Sequence, residues 1–135
     1  MKSEESPGGT NSSERRRVLL AEDDQVLRRL LGVILERAGY EVVPASDGLE
    51  AIELLQTTPV DAVVTDATMP RLNGRELCRR IKNDQKLAHL PVILLSGVDR
   101  KASDANAEGA DAFLSKPVAG ETLVGCIEKL FAGKS

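Results

Sequence analysis

Aromatic side chains are almost missing from this chain, which has one Tyr, two Phe and no Trp in 135 residues. A core made without them must be filled by Val, Leu, Ile and Ala, and the 41% of apolar residues suffices for one. Positive charge is not in excess either: 18 Lys and Arg stand against 21 Asp and Glu. That balance excludes the broad basic field of a nucleic-acid binder. No apolar run approaches the ~18–20 residues needed to cross a membrane. No apolar stretch precedes Val18, so no signal peptide is expected, and the expected location is cytoplasmic. The two cysteines, Cys78 and Cys126, are far apart and fall in segments of helical period. They read as small core residues in a reducing compartment, not as a disulfide or a metal site. The single histidine, His89, sits in a short loop before Pro91 and reads as an exposed residue, since a phosphotransferring histidine needs helical presentation. No Gly-rich phosphate loop follows the first apolar run, which argues against a nucleotide or flavin binder.

The length leaves room for one ordinary domain. Residues 1–14 are rich in Ser, Gly, Glu and Pro and hold no large apolar residue after Met1, so they read as a disordered tail. A domain is expected over 15–133. Arg15, Arg16 and Arg17 open it; of an acidic-partner contact and a solvated strand entrance, the second is favoured.

From Val18 onward, short apolar runs alternate with segments of helical period. Strands are expected at Val18–Ala21, Glu41–Ala45, Val60–Thr65, Val92–Leu95 and Ala112–Leu114. Helices are expected at Asp24–Ala38, Leu49–Gln56, Gly74–Asp84, Lys101–Glu108 and Gly120–Phe131. In the first of them Leu27, Leu30, Leu31, Ile34, Leu35 and Ala38 recur at helical spacing. Asp24 and Asp47 read as helix caps. Five strand-then-helix units predict an α/β fold, a parallel sheet covered on both faces. Pro44 cannot donate to a ladder and places the second strand at an edge. The flavodoxin-like, doubly wound order 2-1-3-4-5 does so.

In such a sheet, function gathers at the carboxyl ends of the strands, near the point where the order reverses. The residues leaving the strands are Glu22, Asp23 and Asp24, then Asp66, Ser96 and Lys116. Three carboxylates brought together raise one another's pKa values unless a cation relieves them. Mg²⁺ suits a few carboxylates, waters and phosphate oxygens. Asp66 would then serve as a nucleophile toward phosphorus, with Lys116 and Ser96 neutralising and hydrogen-bonding the phosphoryl oxygens.

Leu19-Leu20-Ala21-Glu22-Asp23-Asp24, Asp66-Ala67-Thr68-Met69-Pro70, Leu95-Ser96-Gly97 and Lys116-Pro117 resemble the blocks of response-regulator receiver domains of two-component signalling. The stretch from Ala45 through Asp47-Gly48 to Glu50-Ala51 also looks like that family's second-helix entry. The resemblance spans about Arg17 to Phe131. It implies that Asp66 is the phosphoacceptor and that Asp23 binds Mg²⁺ directly. It further implies that Glu22 acts on the metal through water and that the Thr68 backbone carbonyl completes the protein's share of the shell. Ser96 and Phe113 match the switch positions, and Lys116 matches the family lysine, with the Lys116–Pro117 bond in the cis form. The implied output face is the fourth helix, the fifth strand and the last helix. The implied partners are a sensor histidine kinase or phosphotransfer protein and a downstream protein or output domain. A weak or phosphorylation-dependent homodimer is compatible with that face, although the aromatic-poor surface supplies no anchor for one. Neither nucleic acid nor membrane is expected as a direct partner. The chain is expected to act on itself alone, by self-catalysed phosphorylation and dephosphorylation, not as an enzyme on other substrates.

Three positions depart from the family's commonest residues, and two more fall where the family varies. Glu22 stands where Asp is also common, which implies slightly altered metal geometry. Phe113 lacks the hydroxyl of the frequent Tyr, and is either plain core or a moving switch. Val118 follows Lys116-Pro117 where Phe is frequent. Thr68 and Val98 flank the acyl phosphate and neither activates water, which implies a long phosphoryl lifetime. The alternative is a pseudo-receiver, a phosphorylation-independent binding module; such members usually lack an acid, the hydroxyl or the lysine, and here all are filled. A haloacid-dehalogenase-like hydrolase needs a second Asp two residues after the nucleophile, where this chain has Thr68.

Overall fold

The computed structural model describes residues 15–97 and 109–133. Strand β1 (Arg17–Ala21) leads to helix α1 (Gln25–Arg37), then β2 (Glu41–Ala45), α2 (Gly48–Thr57) and β3 (Ala62–Asp66). Helix α3 (Gly74–Lys82), β4 (Val92–Ser96), β5 (Ala112–Ser115) and α4 (Gly120–Gly133) complete the described elements. The strands form one sheet in the order β2-β1-β3-β4-β5, and every neighbouring pair is parallel. The doubly wound, flavodoxin-like order expected from the sequence is thus the observed one. Pro44 lies on the edge strand β2, which pairs with β1 alone. The expected tail over 1–14, Val98 and the expected helix over 101–108 fall outside the described residues. No helix among the described residues is long and apolar enough to cross a membrane.

Successive residues of a strand face opposite sides of the sheet. Leu19 and Ala21 of β1, with Val63 of β3, meet Ala51 and Leu55 of α2 and Leu77, Cys78 and Ile81 of α3. Val18 and Leu20, with Val64, Ile93 and Leu95, meet Leu31 and Leu35 of α1 and Leu123, Ile127 and Phe131 of α4. With both faces covered, β1, β3 and β4 read as unbroken apolar runs instead of alternating ones. Full burial of one Leu or Ile side chain is worth about 1.5–3 kcal/mol. A dozen large side chains are buried to that degree, all of them Leu or Ile, so the core closes without aromatic bulk.

Local chemistry sets the helix ends. Asp24 caps α1 by accepting from the Val26 and Leu27 amides, Asp47 caps α2 through the Glu50 amide, and Asn73 caps α3 through the Glu76 amide. Helix α1 ends at Gly39, whose φ of 102° favours glycine. There the Gly39 amide donates to the Glu36 carbonyl and the Tyr40 amide to that of Leu35.

Packing adds detail at helix α1 and at the opening arginines. Leu30 is 55% exposed, and Val26 and Val33 are exposed as well, so it is not part of the inner face of α1. The buried stripe centres on Leu31 and Leu35, and at 3.6 residues per turn Leu30 lies past its edge. The opening arginines also do more than solvate the strand. The Arg16 guanidinium stacks 4.2 Å from the Phe131 ring centroid, and Arg17 pairs with Glu41 at 3.1 Å. Both contacts join segments far apart in the chain. Leu35→Ala is expected to cost about 2–5 kcal/mol in urea unfolding, while Leu30→Ala in the same helix stays within about 0.5 kcal/mol; comparable losses for the two would refute this packing.

Candidate functional site

Strand β1 runs one ladder bond past its last residue, because the Glu22 amide donates to the Ala45 carbonyl at 3.0 Å. That bond carries Glu22 inward, where it is 1% exposed. The chain then turns into α1 through Asp24, whose amide donates to Glu22 Oε2 at 3.1 Å, and Asp23 is left on the exposed side of the turn. Arg28, one turn into α1, reaches back to the Glu22 carbonyl at 2.7 Å.

Asp66 is the last residue of β3 and is 6% exposed. The Ala67 amide continues the ladder to the Leu95 carbonyl at 2.7 Å, and Gly74 closes the loop by donating to the Ala67 carbonyl at 2.9 Å. A Cβ on Gly74 would fall 1.9 Å from the Asp66 carbonyl oxygen, so glycine is required for α3 to start this close to β3. Within the loop, Met69 and Leu72 are buried in the α2–α3 core and hold it down. Thr68 stands on the exposed lip, with its amide 3.4 Å from Asp66 Oδ1.

Lys116 follows β5 at a cis Lys116–Pro117 bond, the form implied by the resemblance. Its Nζ lies 3.0 Å from Asp66 Oδ2 and 3.2 Å from Glu22 Oε1. Burial works to lower the Lys116 pKa, but the hydrogen bond and charge of Asp66, reinforced by Glu22, outweigh it and raise it. Glu22 is pushed above the ordinary carboxylate range by burial first; the Asp24 amide opposes the shift and the charge of Asp66 adds to it. Lys116 therefore offsets part of the repulsion between two buried carboxylates, and with Asp23 a third carboxylate remains.

The residues fit a divalent cation. Oxygens of Glu22, Asp23 and Asp66 all lie within 4.8 Å of one another. Glu22 Oε1 is buried and lies 3.2 Å from Lys116 Nζ. A buried carboxylate oxygen has a second lone pair free to accept from a metal-bound water, and all-oxygen donors suit a hard cation. Of the expected site residues, the structure thus gathers Glu22, Asp23, Asp66 and Lys116, with Thr68 on the adjoining lip. Ser96 ends β4 beside them, buried, with its hydroxyl donating to the Gly97 carbonyl at 3.2 Å. Phe113 is half-buried one strand further out, packed with Ala67 and Leu94. His89 is exposed in the α3–β4 connection, well separated in the fold from this carboxyl-end cluster. A cleft of about 440 Å³ lined by Arg15, Arg16, Tyr40 and Phe131 lies at the amino ends of β1 and β2, away from these groups.

Sequence reading missed the brace behind the site. Arg71 has a φ of 68°, and its Nε and Nη2 donate to Asp47 Oδ2 at 3.0 and 2.6 Å. The two residues are 24 positions apart, so no local pattern announces the pair. Asp47 is held below the ordinary carboxylate range by the Glu50 amide first and then by Arg71.

The chain belongs to the response regulator receiver domain family, whose model matches residues 18–128. It is 33% identical over 118 residues to the protein PilG of Pseudomonas aeruginosa, covering 86% of this chain and 87% of PilG. It is 38% identical over 125 residues to a gliding motility regulatory protein of Myxococcus xanthus, covering 88% of this chain but only 16% of that protein's length. Among solved structures it is similar to a response regulator receiver domain protein from Clostridium thermocellum, with 31% identity and a TM-score of 0.80 over 88% of this chain and 96% of the other. The chemotaxis response regulator CheY4 of Vibrio cholerae gives 28% identity and a TM-score of 0.80 over 86% and 98%. A receiver domain of this family is a module of two-component signalling, and its acidic cluster can hold a metal ion.

Gly74→Ala should cost about 1–3 kcal/mol in chemical denaturation, because the obstacle is backbone and cannot swing aside; wild-type stability would contradict the close approach of α3 to Asp66. The Asp47 contribution has a defined pH dependence. A lowered folded-state pKa stabilises the fold above the unfolded value near ~4 and is lost as pH falls through the folded value. Asp47→Asn should therefore be less stable than wild type at neutral pH, with the gap closing below about pH 4; a gap independent of pH would count against the assigned shift.

Proposed function

We propose that the domain accepts a phosphoryl group on Asp66 from a phosphohistidine of a sensor kinase or phosphotransfer protein, in a Mg²⁺-dependent reaction. The observation that carries the reading is the convergence of Glu22, Asp23 and Asp66, with Lys116 Nζ 3.0 Å from Asp66 Oδ2. Asp23, Asp66, the Thr68 carbonyl and, through water, Glu22 would hold the ion. When bound, Mg²⁺ supplies positive charge that lets an anionic phosphoryl donor approach these carboxylates.

The chain's own groups do the rest. Asp66 is held by the β3 ladder and by the packed loop that follows it, so one carboxylate oxygen is presented at the strand end without reorganisation. That oxygen bonds to phosphorus as the phosphorus–nitrogen bond of the donor breaks, and the imidazole nitrogen leaves with the bond's electron pair. Lys116, already paired with Asp66 and kept charged, is placed to meet the charge on the phosphoryl oxygens. Ser96 can exchange its local Gly97 contact for a phosphoryl oxygen, and with Phe113 it would pass the change to an output surface made by β5, α4 and the expected helix over 101–108. The domain then acts on itself and signals by docking to a downstream protein or output domain.

Wild-type protein incubated with Mg²⁺ and acetyl phosphate is expected to gain one phosphoryl group by intact mass. Asp66→Asn or chelation of the metal should abolish the gain, and Lys116→Ala should slow it on the order of 10²-fold. A folded wild-type sample that takes up nothing from fresh donor would overturn the reading in favour of a phosphorylation-independent binding module.

A further inference from the structure

The loop from Asp66 to Gly74 carries two of the groups assigned above to the metal, and its own bonds include the Gly74 amide to the Ala67 carbonyl at 2.9 Å and, across Arg71, the Leu72 amide to the Pro70 carbonyl at 2.7 Å. Three observations show that it is also held from outside, by the start of α2. The Arg71 backbone sits at φ 68°, a conformation that costs a non-glycine residue energy and persists only when surroundings enforce it. The Arg71 guanidinium clasps Asp47 Oδ2 through two donors at 3.0 and 2.6 Å. Gly48, next to Asp47, has no side chain where a Cβ would fall 2.0 Å from the Leu72 carbonyl, so α2 and the loop meet backbone to backbone.

Asp47 is in turn fixed by α2. Its Oδ1 accepts the Glu50 amide at 2.9 Å, while Glu50 Oε1 accepts from the Ser46 amide and hydroxyl at 2.7 and 2.8 Å. One Asp47 oxygen therefore caps the helix and the other holds Arg71. The Arg71 side chain is 60% exposed, so the pair adds little to global stability. Its effect is geometric, because together with the Leu72 amide to Pro70 carbonyl bond it favours one backbone state at Arg71.

We propose that Asp47 and Arg71 are a positioning pair, holding the Asp66–Gly74 loop in the shape that gives the acidic site its affinity for a divalent cation. The inference rests on the proposed metal-dependent function and adds to it the residues that shape the loop. Positioning and plain electrostatics predict opposite results. If the pair acted only through its field, removing the Asp47 charge would weaken a nearby cation and removing the Arg71 charge would tighten it. If the pair positions the loop, both losses weaken it, and the double variant is no worse than the more severe single one.

The test is Mn²⁺ binding to the full chain, read from loss of the free-ion electron paramagnetic resonance signal, for wild type, Asp47→Asn, Arg71→Met and the double variant. Asn still caps α2, so Asp47→Asn keeps the helix while losing the charged pair. Circular dichroism verifies that each variant is folded. Both single variants are expected to bind Mn²⁺ roughly tenfold more weakly, the scale seen for residues that orient metal ligands. With acetyl phosphate, the Mg²⁺ concentration for half-maximal rate should rise while the rate at saturating Mg²⁺ changes little. Wild-type affinity in both variants, or tighter binding by Arg71→Met, would overturn the proposal. A wild-type protein that binds no Mn²⁺ at all would instead defeat the underlying metal-dependent reading, and this inference with it.

Discussion

Three carboxylates held within 4.8 Å of one another at the carboxyl end of a parallel sheet are the constraint on which the rest of this domain depends. Left in the interior, such a cluster favours proton uptake or disruption of the fold. The structure tolerates it because Lys116 reaches two of the three acids, because the Asp24 amide bonds Glu22, and because Asp23 remains in contact with solvent. Lys116 comes from the end of β5, and Asp23 and Asp24 from the β1–α1 turn. The site is therefore assembled by the sheet, and the parallel order that sets β1 beside β3 brings Glu22 and Asp66 together.

Packing on the two faces of the sheet makes that order robust. Helices α2 and α3 cover one face and α1 and α4 the other, with Leu and Ile filling the volume that aromatics supply elsewhere. A rigid sheet fixes the strand ends, while the loops leaving them are shaped by side chains. The β1–α1 turn is tied by Arg28 and the β3–α3 loop by Arg71, each through a contact to backbone or carboxylate outside its own turn. Two arginines beside an acidic site thus serve geometry without neutralising the acids directly.

Much of this was legible in the chain itself. Alternation of apolar runs with helical periods indicated five strands, and Pro44 alone placed β2 at an edge. Residues that follow an apolar run in such a fold lie at the carboxyl ends, so the sequence alone marks Glu22, Asp23, Asp66, Ser96 and Lys116 as neighbours. Asp24 and Asp47 were readable as caps because capping is a local interaction, decided within three residues. Leu30 recurs at helical spacing yet is exposed, because spacing marks a stripe without marking its edges; the position of the sheet decides which flank is covered.

The sequence by itself determined the order and type of elements, the two-sided burial of the strands and the residue types at each strand end, since all of these follow from short-range pattern and backbone sterics. Only the tertiary structure decided that Arg71 closes on Asp47, that Gly48 and Gly74 are spaces for backbone carbonyls, and that Arg16 covers Phe131. Those contacts join residues tens of positions apart. They arise from the exact distance between packed elements, a quantity that no local pattern of residues encodes.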